Sequence, residues 1–181
     1  MKYLVVVFLL FAFTVPETRA EDSKPRINCP GDQKNLHTYL KIHDILFTQR
    51  DASRVGEFYA PEIISHNQDS GGDSIRKVTP EQMGAIWSAS KHNNPERRLV
   101  DELIICSGAY ITVRTHVHST DNTGIAGNAP THRPYVISAI DIYRFENGKV
   151  VERWGDADLM GMIMQLGLKV VPAAPAAAAT P

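Results

Sequence analysis

Between Arg97 and Asp156 the hydrophobic residues recur with a period of two, in four consecutive segments: Arg97–Ile105, Tyr110–Ser119, Tyr135–Glu146 and Lys149–Asp156. That period belongs to strands whose alternate side chains face opposite sides of a sheet. Ser107-Gly108 and Asn147-Gly148 punctuate the run, and Asn-Gly is the strongest short hairpin signal. The second half of the chain is therefore committed to an antiparallel sheet. A longer loop rich in Gly, Asn, Thr and Pro, Asp121–Pro134, separates the second strand from the third.

Upstream the period is helical. Asp32–Arg50 carries Leu36, Tyr39, Leu40, His43, Leu46 and Phe47 on one stripe of an amphipathic helix. A short helix is expected over Ser53–Tyr59, a brief strand at Ile63-Ile64-Ser65-His66, and a loop over Gln68–Val78. Thr79-Pro80-Glu81-Gln82 opens a helix with Thr as its cap, Pro at its first position and Gln three residues on. That helix carries Met83, Ile86 and Trp87, and a last short helix covers Leu159–Leu166. Helices followed by antiparallel strands predict an α+β fold, with N-terminal helices packed on a strongly curved, mostly antiparallel sheet. The space between such a sheet and its helices is a natural pocket for a small molecule.

The ends of the chain differ from this middle. Met1-Lys2 gives a positive start, Tyr3–Phe13 is an unbroken apolar run of eleven residues, and Thr18-Arg19-Ala20 places a small residue at a cleavage point. A bilayer requires about 20 apolar residues, so residues 1–20 read as a signal peptide rather than an anchor. Residues 21–34 form an extended leader, 35–168 the folded domain, and 169–181 a disordered tail made, from Pro172 onward, of Ala and Pro with one Thr. The mature protein is expected outside the cytoplasm, secreted or periplasmic, with no stable membrane anchor. An oxidising compartment would permit Cys29 and Cys106 to pair, although two unpaired thiols fit the sequence equally.

Several function classes find no support. With 19 Lys+Arg against 20 Asp+Glu there is no electrostatic case for nucleic acid or an anionic membrane. No Cys/His spacing points to a metal. The glycine-rich phosphate loop, the G-x-S-x-G elbow and H-E-x-x-H do not occur. Acid–base chemistry in a cofactor-free pocket remains, or ligand binding without chemistry.

Candidates for that chemistry lie on the strands. Tyr110, Thr112, Arg114, His116 and His118 share one face of the second strand, which is either a solvated polar face or a set of hydrogen-bonding groups aimed into a pocket. Asp141 stands in the middle of an apolar strand beside Ile137, Ala139, Tyr143 and Phe145. A desolvated carboxyl there suits a general acid–base, or else a structural pair with an Arg or a backbone donor. After the Asn-Gly turn, alternation puts Trp154 with Val150, Glu152 and Asp156, as core or as a platform for a flat ligand. His66 and Asn67 end the first short strand.

The stretch Asp141-Ile142-Tyr143-Arg144-Phe145-Glu146-Asn147-Gly148-Lys149-Val150-Val151-Glu152-Arg153-Trp154 resembles the terminal hairpin of SnoaL-like polyketide cyclases. Ile64-Ser65-His66-Asn67 resembles that family's Gln-His-Asn-Pro segment, and His116-Val117-His118 its histidine-bearing strand. Arg153-Trp154-Gly155 stands where the family carries His-Trp-Asp, with the acid displaced to Asp156. The resemblance implies the curved cone of the nuclear transport factor 2-like superfamily, homodimers, and cofactor-free aldol closure, isomerisation or dehydration of a small apolar carbonyl compound. It would make Asp141 the acid–base, with His118 and His116 beside it. His66, Asn67, Trp87, Tyr143, Trp154 and Arg114 would hold the substrate. The competing expectation is a non-catalytic module that binds a small hydrophobic ligand in the same pocket.

Overall fold

A computed structural model of the chain describes residues 24–169, apart from 32, 70, 71 and 126. The expected signal peptide at 1–20 and all but the first residue of the expected tail lie outside the described residues. Strand β1 (Arg26–Asn28) leads into helix α1 (Gln33–Ile42), which widens into a π-helical stretch, His43–Thr48, and is followed by a 3-10 turn, Ala52–Glu57. Next come β2 (Tyr59–Asp69), β3 (Gly72–Val78) and helix α2 (Pro80–Asn93). Strands β4 (Arg98–Ser107), β5 (Tyr110–Thr120), β6 (Pro134–Glu146) and β7 (Lys149–Ala157), then helix α3 (Leu159–Leu166), complete the domain.

The strands form one mixed seven-stranded sheet in the order β1-β4-β5-β6-β7-β2-β3. The meander β4 to β7 is antiparallel throughout, whereas β1 joins β4 and β2 joins β7 in parallel. The α+β architecture with a curled sheet is as the sequence predicts. Two strands depart from expectation: β2 runs from Tyr59 to Asp69 rather than over 63–66 alone, and Gln68–Val78 is not loop, because Gly72–Val78 turns back as β3 and pairs with β2 from Ile63 to Asp69. In the sequence Gly71-Gly72 reads as a loop signal, and the polar residues of β3 show no alternation.

Capping behaves as the sequence indicates. Gln82 N–H donates to Thr79 Oγ1 at 3.4 Å and Thr79 N–H to Gln82 Oε1 at 3.0 Å, which anchors the start of α2. Leu36, Tyr39, Ile42 and Leu46 of the first helical layer pack on Ile104, Ile111, Val113, Tyr143 and Val150 of the sheet. Leu40, expected on that stripe, is instead exposed. A second cluster, Val117, Ile137, Met162 and Leu166, seats α3 against the far end of β5 and β6. The leader is fastened as well, since Cys29 and Cys106 form a disulfide across a sequence separation of 77.

Candidate functional site

Strand parity decides which side chains reach the inside of the cone. In β5 the buried residues are Ile111, Val113, Thr115, Val117 and Ser119, so the intervening residues face outward. In β6 the inner face carries Ile137, Ala139, Asp141 and Tyr143. Strand β7 changes parity within its own length. Phe145 pairs with Val150 but Arg144 with Glu152, so Val151 is an extra residue, a bulge. Val150 faces the core, and beyond the bulge Arg153 and Gly155 face inward while Trp154 is turned out.

A cavity of about 580 Å³ results between the helices and the inner face of the sheet. Leu46, Phe47, Trp87 and Met162 wall the helical side, and Leu99, Thr115, Val117, Ile137 and Ala139 the sheet side. Its size suits a small organic molecule. Asp141, Tyr143 and Arg153 bring polar groups to it. Arg153 Nη2 donates to Asp141 Oδ1 across the strand pair. Burial opposes the charge on Arg153, but Asp141 and the tyrosines outweigh it and hold the guanidinium above its ordinary value. Burial, followed by the charge of Asp141, holds the Tyr143 hydroxyl well above the usual phenol range, so it stays protonated. Tyr59, only 1% exposed, is likewise raised by burial, and among the described residues its hydroxyl has no hydrogen-bond partner.

Gly155, opposite Asp141 in the ladder, makes the ion pair sterically feasible. A Cβ there would stand 2.5 Å from Arg153 Nη2 and 2.7 Å from Asp141 Oδ1. Arg153 and Gly155, the two departures from the family's His-Trp-Asp pattern, are thus one steric unit.

Behind the cavity lies a buried polar knot. Asp101, 6% exposed, accepts from Tyr39 OH at 2.8 Å and from Thr115 Oγ1 at 2.9 Å, and His43 Nε2 stands 3.6 Å away. A bulge at Glu102 positions it: Asp101 pairs with Thr115 and Leu103 with Arg114. Neither Asp101 nor Arg153 is singled out by the sequence, because both bulges are invisible to a strict period of two.

Of the expected site residues, Asp141, Tyr143 and Trp87 line the cavity. His116, His118, Arg114, His66 and Trp154 do not meet them. His116 and Arg114 face Glu102 on the outer side of the sheet, and Arg98 contacts His118 Nδ1 at 3.4 Å. The expected partnership of His116 and His118 with Asp141 is corrected by this placement, since Thr115 and Val117 take the inward positions. His66 pairs with Glu152 at 2.9 Å and stacks on Trp154 with ring centroids 4.8 Å apart, also on the outer face. Arg114, His66 and Trp154 are therefore corrected as cavity residues. Asn67 lies in β2, and its side chain falls outside the described residues. Among the described residues no group of three or more His, Cys, Asp or Glu could hold a metal ion.

A curled sheet closing over helices around a cavity is the α+β cone fold of nuclear transport factor 2-like proteins. Within that class, residues 37–166 match the family model of SnoaL-like polyketide cyclases, and the chain belongs to that family. No curated protein sequence matches the chain. Among solved structures it is similar to IdmH of Streptomyces antibioticus, a proposed polyketide cyclase (TM-score 0.62, 21% identity, 74% of this chain and 99% of that one). It is similar also to AclR of Streptomyces galilaeus, a proposed hydroxylase (0.62, 21%, 79% and 91%). A third is a proposed SnoaL-like polyketide cyclase of Jannaschia sp. CCS1 (0.64, 17%, 78% and 96%). At these identities the likeness is one of fold, and the different activities proposed for the neighbours leave chemistry to the site.

Proposed function

We propose that this protein is a cofactor-free cyclase, isomerase or lyase acting on a small, largely apolar carbonyl compound, with Asp141 as its acid–base. The observation that carries this reading is the position of Asp141. It projects into a cavity walled largely, but not wholly, by apolar side chains, with the Arg153 guanidinium and a protonated Tyr143 hydroxyl beside it. One Asp141 oxygen takes a proton from the carbon next to the substrate carbonyl. Arg153 and Tyr143 then stabilise the enolate oxygen, a role that outward-facing His116 and His118 cannot fill. In a cyclisation the enolate carbon attacks a second carbonyl of the same molecule, and the new alkoxide recovers the proton. In an isomerisation the proton returns to a different carbon.

The proposal places the protein outside the cytoplasm, secreted or periplasmic. The apolar run Tyr3–Phe13 and the Cys29–Cys106 disulfide support this. No helix of the described residues is long and apolar enough to cross a membrane. A homodimer through the outer sheet face is also proposed, supported by exposed Ile105, Val136 and Ile140 there.

Incubation of metabolite extract with wild type and with Asp141→Asn, read by mass spectrometry, tests the function. Features consumed by wild type and replaced by isobaric or water-loss products are expected. Asp141→Asn should slow their turnover by about 10²–10⁴-fold, the usual worth of a general base. Equal consumption by both proteins would remove Asp141 from the mechanism. A compound retained unchanged by both would identify a binding module instead.

A further inference from the structure

The cavity carries a second charged group that proton transfer at Asp141 does not use. Arg50 and Arg97 both line it, together with Ser90. Arg50 follows the π-helical stretch in the left-handed backbone region, φ 55°, and Arg97 immediately precedes β4. Both reach the C-terminal end of α2. Arg50 Nη1 donates to Asn94 O at 2.6 Å and Pro95 O at 3.2 Å, and Arg97 Nη1 to Ser90 Oγ at 3.3 Å. Lys91 Nζ, donating to Gln49 O at 3.3 Å and Arg50 O at 3.2 Å, ties the same two segments together.

These are neutral acceptors. Among the described residues neither arginine forms an ion pair, and Arg97 Nε is buried with no hydrogen-bond partner. Burial, and after it the like charge of Arg97, holds the Arg50 guanidinium below its ordinary value, against a weaker pull from Glu96. Glu96 itself accepts from Thr120 N–H and Asn122 Nδ2. Asp156 also lines the cavity, and Arg153 is matched by Asp141. Two cations against the single remaining carboxylate leave this part of the cavity positive. Two guanidinium forks and a hydroxyl facing one space form a receptor for a planar, two-oxygen anion.

We infer that the ligand of this cavity is an apolar molecule ending in a carboxylate, its head group seated on Arg50, Arg97 and the Ser90 hydroxyl, its body lying along Phe47, Trp87 and Leu99. This deepens the proposed function and rests on it in one respect, that the same cavity is the working site. The substrate is then a carbonyl-bearing acid, held by its carboxylate while its carbonyl lies at Asp141. The Arg50/Arg97 pair becomes a specificity determinant that rejects the corresponding neutral ester or amide.

Matched acids and amides test this by titration calorimetry on the full folded chain. The probes are 1-naphthaleneacetate against 1-naphthaleneacetamide, and 4-phenylbutyrate against 4-phenylbutyramide. Wild type is expected to bind the acids at least about tenfold more tightly than the amides, the scale of one charge-assisted contact. Added salt should weaken the preference. Arg97→Gln should remove it while leaving amide affinity unchanged, and Asp141→Asn should keep it. Equal affinity for both members of each pair, no saturable binding of any acid, or equal weakening of acid and amide by Arg97→Gln would overturn the inference. The wild-type comparison decides the matter even if Arg97→Gln fails to fold. Acid preference in a protein that converts nothing would defeat the catalytic reading and leave the receptor standing.

Discussion

At Gly155 the lack of a side chain determines what its neighbours can do. Arg153 reaches Asp141 because nothing occupies the space between them, and a Cβ at 155 would collide with both partners of the ion pair. Gly155→Ala should therefore impair function far more than folding. Turnover should fall by at least about tenfold, because displacing a catalytic group by about 1 Å can cost 10² in rate. Thermal unfolding, in contrast, should shift by only a few degrees. Wild-type turnover in Gly155→Ala would show that the Asp141–Arg153 geometry is not used.

The loop before β6 depends on one carboxylate. Asp121, 2% exposed, accepts from Gly124 N–H at 2.9 Å, Thr131 N–H at 2.8 Å and Thr131 Oγ1 at 2.9 Å. Burial pushes its carboxyl up, but these donors outweigh burial and hold it below the ordinary 3.8. A folded-state value below the unfolded one means the stabilisation is fully present above about pH 4 and is lost as pH falls through the lower folded value. Asp121→Asn should accordingly lower Tm at pH 7, and its difference from wild type should shrink as the pH drops below 4. A difference independent of pH would contradict this role. The leader makes a separate contribution. Reducing Cys29–Cys106 opens a crosslink that spans a sequence separation of 77, and about 2–4 kcal/mol of stability should go with it. Melting with and without dithiothreitol measures this, and equal midpoints would show that the crosslink contributes nothing.

The same elements show how much of the molecule could be read from its sequence. Strands β4 to β7, the capped helix α2 and α3 were legible because their periodicity and turn residues are strong. Asp141 was legible as a lone carboxylate on an apolar face. Arg153 and Asp101 were not, because bulges at Val151 and Glu102 reverse or shift a parity that the sequence presents as continuous. For the same reason Trp154 looks inward on paper and faces outward in the fold. His116 and His118 needed a different piece of information, namely which face of β5 is concave. Alternation groups the residues of a strand, but only packing against α1 and α3 decides which group is inside.

For the whole molecule, the curled sheet separates two sets of charges. Outside are His66 with Glu152, and His116 and Arg114 with Glu102. Inside are Asp141 with Arg153, and the arginines 50 and 97. In the proposed function the first inner group supplies a proton acceptor and a cation for an enolate, the second a seat for an anion, and the apolar wall between them orients the ligand. The proposed removal of a carbon-bound proton by Asp141 inside this cavity can be followed by deuterium incorporation. Metabolite extract is incubated in D2O with wild type or Asp141→Asn, and the compounds that gain mass are recorded. Compounds gaining solvent deuterium at a carbon next to a carbonyl with wild type, and not with Asp141→Asn, are the predicted result. Equal labelling with both proteins, or none with either, would contradict it.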